Sequence, residues 1–383
     1  MHDEFAPLDT RVAAIPPSHA AGRPSRRGRM NAIAFAERRW LPDPLVRFGM
    51  RRLMAKRLKA ETRGSDDEVA ERQRRFVAEL AASPIAIETQ AANTQHYEVP
   101  AEFFKLHLGA RMKYSSCLYA TGRESLAGAE QAMFGAYADR AGLQDGQRIL
   151  DLGCGWGSFA LWAAARYQRS TIIGLSNSVG QREHIEAQAA ALGITNLKVR
   201  TGNIVDFEFE PSDLKGGFDR IVSIEMFEHM KNYRLLFAKV ARWLADDGRV
   251  FVHVFANRHV AYHFEDREAD DWMSRYFFTG GTMPSFDLFK SFADALEIEK
   301  RWWVSGRHYE RTANDWLARM DAAREPIMDV FKATYGEADA PVWFARWRMF
   351  YMAVAELFGF EKGAQWGVAH YRFAKTGRAV RDA

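Results

Sequence analysis

The chain has few of the features that mark secreted or membrane-spanning proteins. Its two cysteines, Cys117 and Cys154, are too few for a disulfide framework and do not have the spacing of metal ligands. The sequence contains no run of 18 apolar residues, the length needed to span a bilayer. Its N-terminal stretch has no apolar signal segment. We therefore expect a cytoplasmic protein without a metal site.

Charge is unevenly distributed along the 383 residues. The net charge is only +4, but residues 23–63 contain 13 Lys and Arg against 3 Asp and Glu, so the remainder is net acidic. We interpret residues 1–42 as a disordered basic tail, because they have little apolar periodicity. Residues 45–60 predict a basic amphipathic helix, which can lie on an anionic membrane face or pack on its own protein. No recognition motif accompanies the charge, so we expect no nucleic-acid partner.

The rest of the chain divides into a helical cap and an α/β domain. Residues 43–140 read as helices, and from residue 141 to 383 strands alternate with helices. The predicted strands are Arg148–Leu152, Thr171–Leu175, Leu197–Thr201, Phe218–Ile224, Arg249–Phe255, Ile298–Val304 and Gly367–Lys375. Strands separated by helices at this spacing predict a doubly wound, mostly parallel sheet.

Two insertions interrupt the alternation. Residues 259–289 are rich in acidic and aromatic residues and predict a lid over a substrate, with a helix over residues 285–296 at its end. The aromatic side chains expected to hold the substrate are Trp272, Tyr276, Phe277, Phe278, Trp302 and Trp303. Residues 312–360 predict a second, helical insertion.

A glycine-rich turn follows the first strand of the α/β domain. Gly153, Gly155 and Gly157 come directly after Asp151 and Leu152 and before a helix-forming run. Glycines at such a turn let a ligand lie against the main chain. Their even spacing differs from the dinucleotide fingerprint and resembles the loop of S-adenosylmethionine-dependent methyltransferases.

Other polar residues follow the next strands. Ser176 and Asn177 end the second strand, where an acidic residue often holds a ribose, and Gln181 and Asn203 follow them. Tyr114 and Ser115 lie in a stretch that suits the wall of a ligand site. The predicted cofactor-binding set is Tyr97, Tyr114, Ser115, Asp151, Gly153, Gly155, Ser176, Asn177, Gln181 and Asn203.

The fourth strand ends in two carboxylates and an imidazole. Glu225, Glu228 and His229 lie within five residues, at the sheet edge where ligands bind in this fold class. Glu228 and His229 beside an activated methyl group could accept a proton from the methyl acceptor. Helix capping by an acidic residue is the simpler alternative.

The segment Glu225–Tyr233 resembles the cyclopropane fatty acid synthase family of methyltransferases, especially its coclaurine N-methyltransferase branch. The similarity runs from about residue 45 to the C-terminus. It implies a class I, Rossmann-like methyltransferase fold with S-adenosylmethionine as cofactor. In the N-methyltransferase branch the residues matching Glu228 and His229 are catalytic, and the residue matching Glu225 lies close to the substrate.

The resemblance also raises bicarbonate as a second bound group. In the cyclopropane synthases a bound bicarbonate is the base, and Cys117, Glu228, His253 and Tyr309 match residues that hold it. Phe255 stands where an aliphatic residue is expected. The catalytic set predicted in this way is Glu228, His229, Glu225, Cys117, His253 and Tyr309.

Two acceptors are compatible with these residues. One is the double bond of an unsaturated phospholipid acyl chain, which the basic helix and the four matching residues favour. The other is a small aromatic amine, which the paired glutamates and the aromatic lid favour, because aromatic faces bind cations. We expect the lipid acceptor, with peripheral contact at the inner membrane face; a homodimer is left open.

Overall fold

The computed structural model describes residues 32–87, 99–266 and 271–377. Its main sheet has seven strands in the order β3-β2-β1-β4-β5-β9-β8. The strands are β1 Arg148–Leu152, β2 Thr171–Ser176, β3 Leu197–Thr201, β4 Phe218–Ile224, β5 Leu244–Asn257, β8 Leu296–Ser305 and β9 Trp366–Lys375. A two-stranded sheet pairs β6 Tyr262–His263 with β7 Thr282–Met283.

The strand order reverses between β1 and β4. From β1 the chain builds outward through β2 and β3, and then returns to place β4 and β5 on the other side of β1. Among these seven strands β9 pairs antiparallel with both β5 and β8, and the other four pairings are parallel. Ligands of open α/β sheets bind at such a reversal, beyond the carboxyl ends of the strands. The predicted doubly wound, mostly parallel sheet is confirmed.

Helices cover both faces of this sheet. Before it come α1 Ala32–Glu37, α2 Asp43–Glu61, α3 Asp66–Ala82, α4 Ala101–His107 and α5 Leu126–Ala141. Between strands lie α6 Ser158–Arg166, α7 Val179–Ala191, α8 Pro211–Leu214 and α9 Tyr233–Trp243, and α10 Trp272–Tyr276 is in the lid. The second insertion forms α11 Gly306–Ala322, α12 Arg324–Tyr335 and α13 Ala340–Gly359.

Two local expectations are wrong. Residues 32–42 were expected to be part of a disordered tail, but they contain α1, which contacts α13 through Ala36 and Glu37. Where a helix was expected over residues 285–296, the structure has a short 3-10 helix, Leu288–Phe292. Its apolar side chains are buried, and Phe289 packs against Phe373 of β9. Residues 1–31 lie outside the described residues.

The basic helix α2 packs on its own protein along one side. Val46, Met50, Met54 and Leu58 contact the core, and Arg47 and Arg51 both pair with Glu356 of α13. On the other side Leu45, Phe48 and Leu53 are 52%, 50% and 39% exposed. No helix of the described residues has the length and apolarity needed to cross a bilayer. Membrane contact through the exposed side stays a prediction, as does a homodimer.

The lid is held down by polar contacts from two sides. Gln73 of α3 exchanges two hydrogen bonds with the backbone of Ala261, at 3.1 and 2.8 Å. From below, Lys231 Nζ donates to His263 Nδ1 at 2.7 Å and to Thr282 Oγ1 at 3.0 Å, which ties β6 and β7 to the end of the β4 segment. The lid is therefore fixed to the elements that form the site.

Candidate active site

A cleft opens beyond the carboxyl ends of β1 and β4, where the strand order reverses. Its walls come from the ends of four neighbouring strands and from the lid. The lining residues are Leu152, Gly153, Gly155, Leu175, Ser176, Asn177, Gln181, Gly202, Asn203, Ile204, Met226, His229, Met230, Thr279 and Gly280. Six predicted cofactor-binding residues are among them: Gly153, Gly155, Ser176, Asn177, Gln181 and Asn203.

The glycine loop gives this cleft a bare main-chain floor. Gly155 has a φ of +51°, and a Cβ added there would meet no atom within 4 Å, so a side chain would project into open space in the cleft. At Gly153, with a φ of +80°, an added Cβ would lie 2.7 Å from Met226 Cγ. The loop therefore needs glycine at both positions. Gly155 keeps space free for the ligand, and Gly153 allows Met226, which follows β4, to pack against the loop.

The polar groups in the cleft fit a nucleoside. Ser176 Oγ donates to Gln181 Oε1 at 2.7 Å, which fixes the amide, and the buried Gln181 Nε2 has no partner among the described residues. A buried amide donor without a partner is costly unless a ligand accepts from it. These groups suit the hydroxyl and nitrogen acceptors of the adenosine half of S-adenosylmethionine.

The other four predicted cofactor-binding residues have different positions. Asp151 is buried behind the loop, where it accepts from the backbone N–H of Ala160 and burial raises its pKa to about 7. Tyr114 lines a second cavity, described below, and Ser115 is buried and accepts from Lys113 Nζ. Tyr97 lies outside the described residues.

A second cavity lies beside the cleft and is largely aromatic. Its lining consists of Tyr114, Glu225, Glu228, His229, Phe255, Phe264, Met273, Phe278, Met283, Tyr309, Trp316, Phe350, Val354, Leu357 and Phe358. His229 lines both spaces, and its ring packs on Phe278 with centroids 4.9 Å apart. A methyl group at the inner end of the cleft would therefore face a molecule in the aromatic cavity.

Glu225 is the most strongly held group in this cavity. It has a φ of +49°, which is unusual for a residue other than glycine and turns its side chain inward after β4. Oε1 accepts from Ser116 N–H and His253 Nε2, both at 3.0 Å, and Oε2 accepts from Tyr309 at 2.7 Å. Burial raises the pKa of Glu225 to about 7, although these donors and nearby Lys113 favour its ionised form.

Glu228 has the opposite surroundings. It is buried, and its Oε2 has no hydrogen-bond partner among the described residues. Burial raises the pKa of Glu228 well above its ordinary value, and the neighbouring charge of Glu225 raises it further. The two carboxyl groups thus differ: one is held by donors, and the other is available to a molecule in the cavity.

Two of the residues expected to hold bicarbonate instead hold the side chain of Glu225. His253 and Tyr309 do come together, but they donate to the Glu225 carboxylate, which occupies the position between them. Cys117 Sγ faces the Ser115 carbonyl at 3.8 Å, and burial raises its pKa to about 12, so it is a neutral thiol. His253 and Tyr309, two of the residues expected to hold bicarbonate, are therefore occupied by the carboxylate of Glu225.

The aromatic lid also differs from the expectation. Only Phe278 of the six predicted side chains lines the second cavity. Phe277 stacks on Phe350 in the core, and Trp302 lies under Arg140. Phe264, Trp316 and Phe358 were not predicted as site residues, and Phe255 was named only for its place in the expected bicarbonate ring. No local pattern marks them, because they meet only when α11 and α13 fold onto the sheet.

The chain is similar to several known methyltransferases. The sequence profile of the mycolic acid cyclopropane synthetase family matches residues 86–360. The (S)-coclaurine N-methyltransferase of Papaver somniferum is 35% identical over 338 residues, which cover 88% of this chain and 95% of that protein. The Escherichia coli cyclopropane-fatty-acyl-phospholipid synthase is 30% identical over 63% of this chain and 59% of its own length.

A solved structure extends the similarity to three dimensions. Coclaurine N-methyltransferase bound to N-methylheliamine and SAH aligns with a TM-score of 0.85 at 34% identity, covering 89% of this chain and 98% of that one. The sheet, the glycine cleft and these relatives make the protein an S-adenosylmethionine-dependent methyltransferase. Within that class, the chain belongs to the mycolic acid cyclopropane synthetase family.

Proposed function

We propose that this methyltransferase acts on the nitrogen of a small aromatic amine. The observation that carries the proposal is the second cavity, where Glu225 and Glu228 face aromatic walls next to the cofactor cleft. A bound ammonium ion is attracted both by a carboxylate and by aromatic faces, whereas a carbon–carbon double bond is neutral when it binds and becomes positively charged only during the reaction. The similarity to alkaloid N-methyltransferases supports this acceptor over the acyl chain that we expected from the sequence.

Glu228 would remove the proton that blocks attack by the amine. An amine reacts through its lone pair, so the ammonium form must first lose a proton. The raised pKa of Glu228 brings its basicity closer to that of an amine, and its Oε2 has no partner among the described residues. His229 lines both spaces, so its ring would orient the amine toward the cleft.

Glu225 would balance the positive charge of the bound amine and of its methylated product. Its three donors keep it in place and favour the ionised carboxylate. S-adenosylmethionine supplies, when bound, a methyl group already activated by positively charged sulfur. Bond formation then requires little more than alignment of the nitrogen with that methyl group, which the shared wall of the two spaces provides.

A lipid acceptor is the second candidate, and one observation favours it. A groove of about 980 Å³ runs between α2 and the lid and shares Phe264, Met273 and Leu357 with the aromatic cavity. Arg52 and Lys56 of α2 also line it. An acyl chain in this groove would place an anionic headgroup near the basic side of α2.

Methyl-labelled cofactor distinguishes the two acceptors. The purified protein is incubated once with a panel of tetrahydroisoquinolines and other aromatic amines, and once with unsaturated phospholipid vesicles. We expect label in the amine fraction and none in the acyl chains. Label in the acyl chains alone would overturn the proposal in favour of the lipid acceptor.

A further inference from the structure

A row of polar side chains leads from the edge of the cap to Glu225. Arg140 Nη1 lies 2.6 Å from His370 Nδ1, and His370 Nε2 lies 2.9 Å from His253 Nδ1. His253 Nε2 in turn lies 3.0 Å from Glu225 Oε1. Arg140 and His370 line neither the cleft nor the aromatic cavity as described, so they do not touch the reacting molecules.

The sheet itself brings the two histidines together. His253 on β5 and His370 on β9 are directly paired in the antiparallel register, so their side chains lie on the same face of the sheet. Both are completely buried. Arg140 reaches them from the last turn of α5, with its guanidinium 5.3 Å from the centre of the Trp302 ring.

The chemistry of arginine decides where each proton lies. A guanidinium only donates hydrogen bonds, so His370 Nδ1 must accept, and its Nε2 must carry the proton. His370 then donates to His253 Nδ1, which leaves the proton of His253 on Nε2, facing Glu225. Burial lowers the pKa of both imidazoles well below the ordinary value, so each is neutral and has one proton.

We propose that Arg140 and His370 are positioning residues that fix the tautomer of His253 and thereby keep Glu225 ionised. With its proton on Nε2, His253 donates to the Glu225 carboxylate. In the other tautomer the bare Nε2 would face Glu225, which could then keep the contact only by taking up a proton. Arg140 therefore favours the ionised form of Glu225, although it acts only through the rings of His370 and His253.

The other groups near Glu225 do not make this selection. The charged and titratable groups facing it are Lys113, Cys117, Tyr137, Glu228, His253 and Tyr309. Tyr137 lies 2.9 Å from His253 Nδ1, but a hydroxyl can donate or accept and so fits either tautomer. Lys113 stabilises charge on Glu225 without contacting His253, since its Nζ donates to Ser115 and to the Ser116 carbonyl.

The first test reads the tautomer directly. Histidine-selective ¹⁵N labelling of the full chain, measured without any acceptor, reports which ring nitrogen of His253 carries the proton. We expect the Nε2–H form in the wild type and in Arg140→Lys, which keeps a cationic donor. Arg140→Met should give a mixture or the Nδ1–H form. An unchanged His253 signal in a folded Arg140→Met protein would overturn the proposal.

The second test reads the charge of Glu225 and rests on the proposed function. In Arg140→Met the acidic limb of the kcat profile should move to higher pH by about one unit, since Glu225 loses one hydrogen bond to its charged form. Arg148→Met is the control: Arg148 is also a partly buried arginine, but its guanidinium donates to the Gly217 and Asp213 carbonyls and not to the row. It should change stability and leave the limb unmoved.

A third variant protects both tests against misfolding. His370→Phe breaks the row one residue nearer to Glu225 and keeps a ring in the same core position. It should reproduce both changes of Arg140→Met, with thermal melting to show that the protein is folded. If the tautomer changes but no amine is methylated, the proposed function fails and the positioning role stands; a limb that moves equally in Arg148→Met overturns the positioning role.

Discussion

The two halves of the active site are built in different ways. The cofactor cleft takes most of its lining from residues that directly follow β1, β2, β3 and β4, so each wall is a short piece of sequence. The aromatic cavity takes its lining from the end of β4, β5, the lid, α11 and α13, and from Tyr114 before α5. The cleft is a property of the sheet, whereas the cavity is a property of how the insertions pack on it.

The largest effect is expected on the chemical step. Glu228→Gln keeps the shape of the side chain but removes the proton acceptor, so turnover should fall by roughly 10²- to 10⁴-fold. Binding of S-adenosylhomocysteine, measured by calorimetry, should stay unchanged because Glu228 lines only the aromatic cavity. Turnover close to that of the wild type would exclude Glu228 as the base.

The same variant should become relatively more stable as pH rises. The pKa of Glu228 is raised above 4.5 in the folded protein, so the unfolded chain releases this proton first. The free energy of unfolding therefore falls as pH rises from about 4.5 through the folded pKa. Glutamine has no such loss, and the Tm difference between Glu228→Gln and the wild type should grow from pH 5 to pH 8. A constant difference would contradict the raised pKa.

Removing the carboxylate of Glu225 should make turnover depend on an anion added to the buffer. Glu225→Gly deletes the group between His253 and Tyr309 and suits the local φ of +49°. We expect turnover to fall by about 10²-fold, the scale for losing a preorganised electrostatic group, and to recover partly with formate or bicarbonate. Chloride at equal ionic strength is the control, and recovery with chloride would argue against a specific anion position.

The cleft can be blocked without touching the cavity. Gly155→Val puts a side chain into the ligand space, and cofactor affinity should fall by roughly 30-fold or more, equal to about 2 kcal/mol. Gly193→Val is a matched control, with a φ of +66° and open space around its Cβ but no place in the cleft. Equal losses of affinity in both variants would show a general folding defect.

The cavity can be weakened without touching the main chain of the cleft. Phe278→Ala removes the ring packed on His229, and the KM for an amine should rise by about 3- to 10-fold. Tyr276→Ala changes a neighbouring lid aromatic that packs under Arg346 instead, and it should leave that KM unchanged. If the KM for the amine rises only in Tyr276→Ala, then Tyr276 rather than Phe278 holds the amine, as the aromatic lid expected from the sequence allows.

The exposed side of α2 lies away from the reacting groups, so changes there should affect membrane binding and leave amine turnover almost unchanged. Replacing Leu45, Phe48 and Leu53 with serine should lower binding to anionic vesicles a few-fold, because each loses apolar area at the interface. The same change at exposed Leu192, Val205 and Leu235 is the control. Vesicle binding equal to that of the wild type would contradict membrane contact through α2.

The sequence predicts the cleft better than the cavity for a physical reason. Gly153, Ser176 and Asn203 lie at or just after the carboxyl ends of β1, β2 and β3, and parallel strands bring these ends to one edge of the sheet. Glu225 and His253 were identified from the sequence as separate residues, but not their direct contact. The contact forms because the backbone turns inward at Glu225 and because β5, which contains His253, lies next to β4. A pattern along the sequence predicts neither of these features.

The row from Arg140 to Glu225 lay beyond any such pattern. His253 and His370 are 117 residues apart and meet only through the register of two antiparallel strands. The lid aromatics were misassigned for a related reason, since a tryptophan has the same apolar character in a core as in a ligand site. Only the packing of α13 shows that Phe277 belongs to the core and Phe278 to the cavity.

The carboxylate of Glu225 also has a consequence for the conditions under which this enzyme works. A bicarbonate held by hydrogen bonds must be drawn from solution, and its occupancy follows the supply of dissolved carbon dioxide. A carboxylate that is part of the chain is present in every molecule and cannot be diluted or outgassed. We therefore expect turnover to be the same in degassed and in carbonated buffer at equal pH.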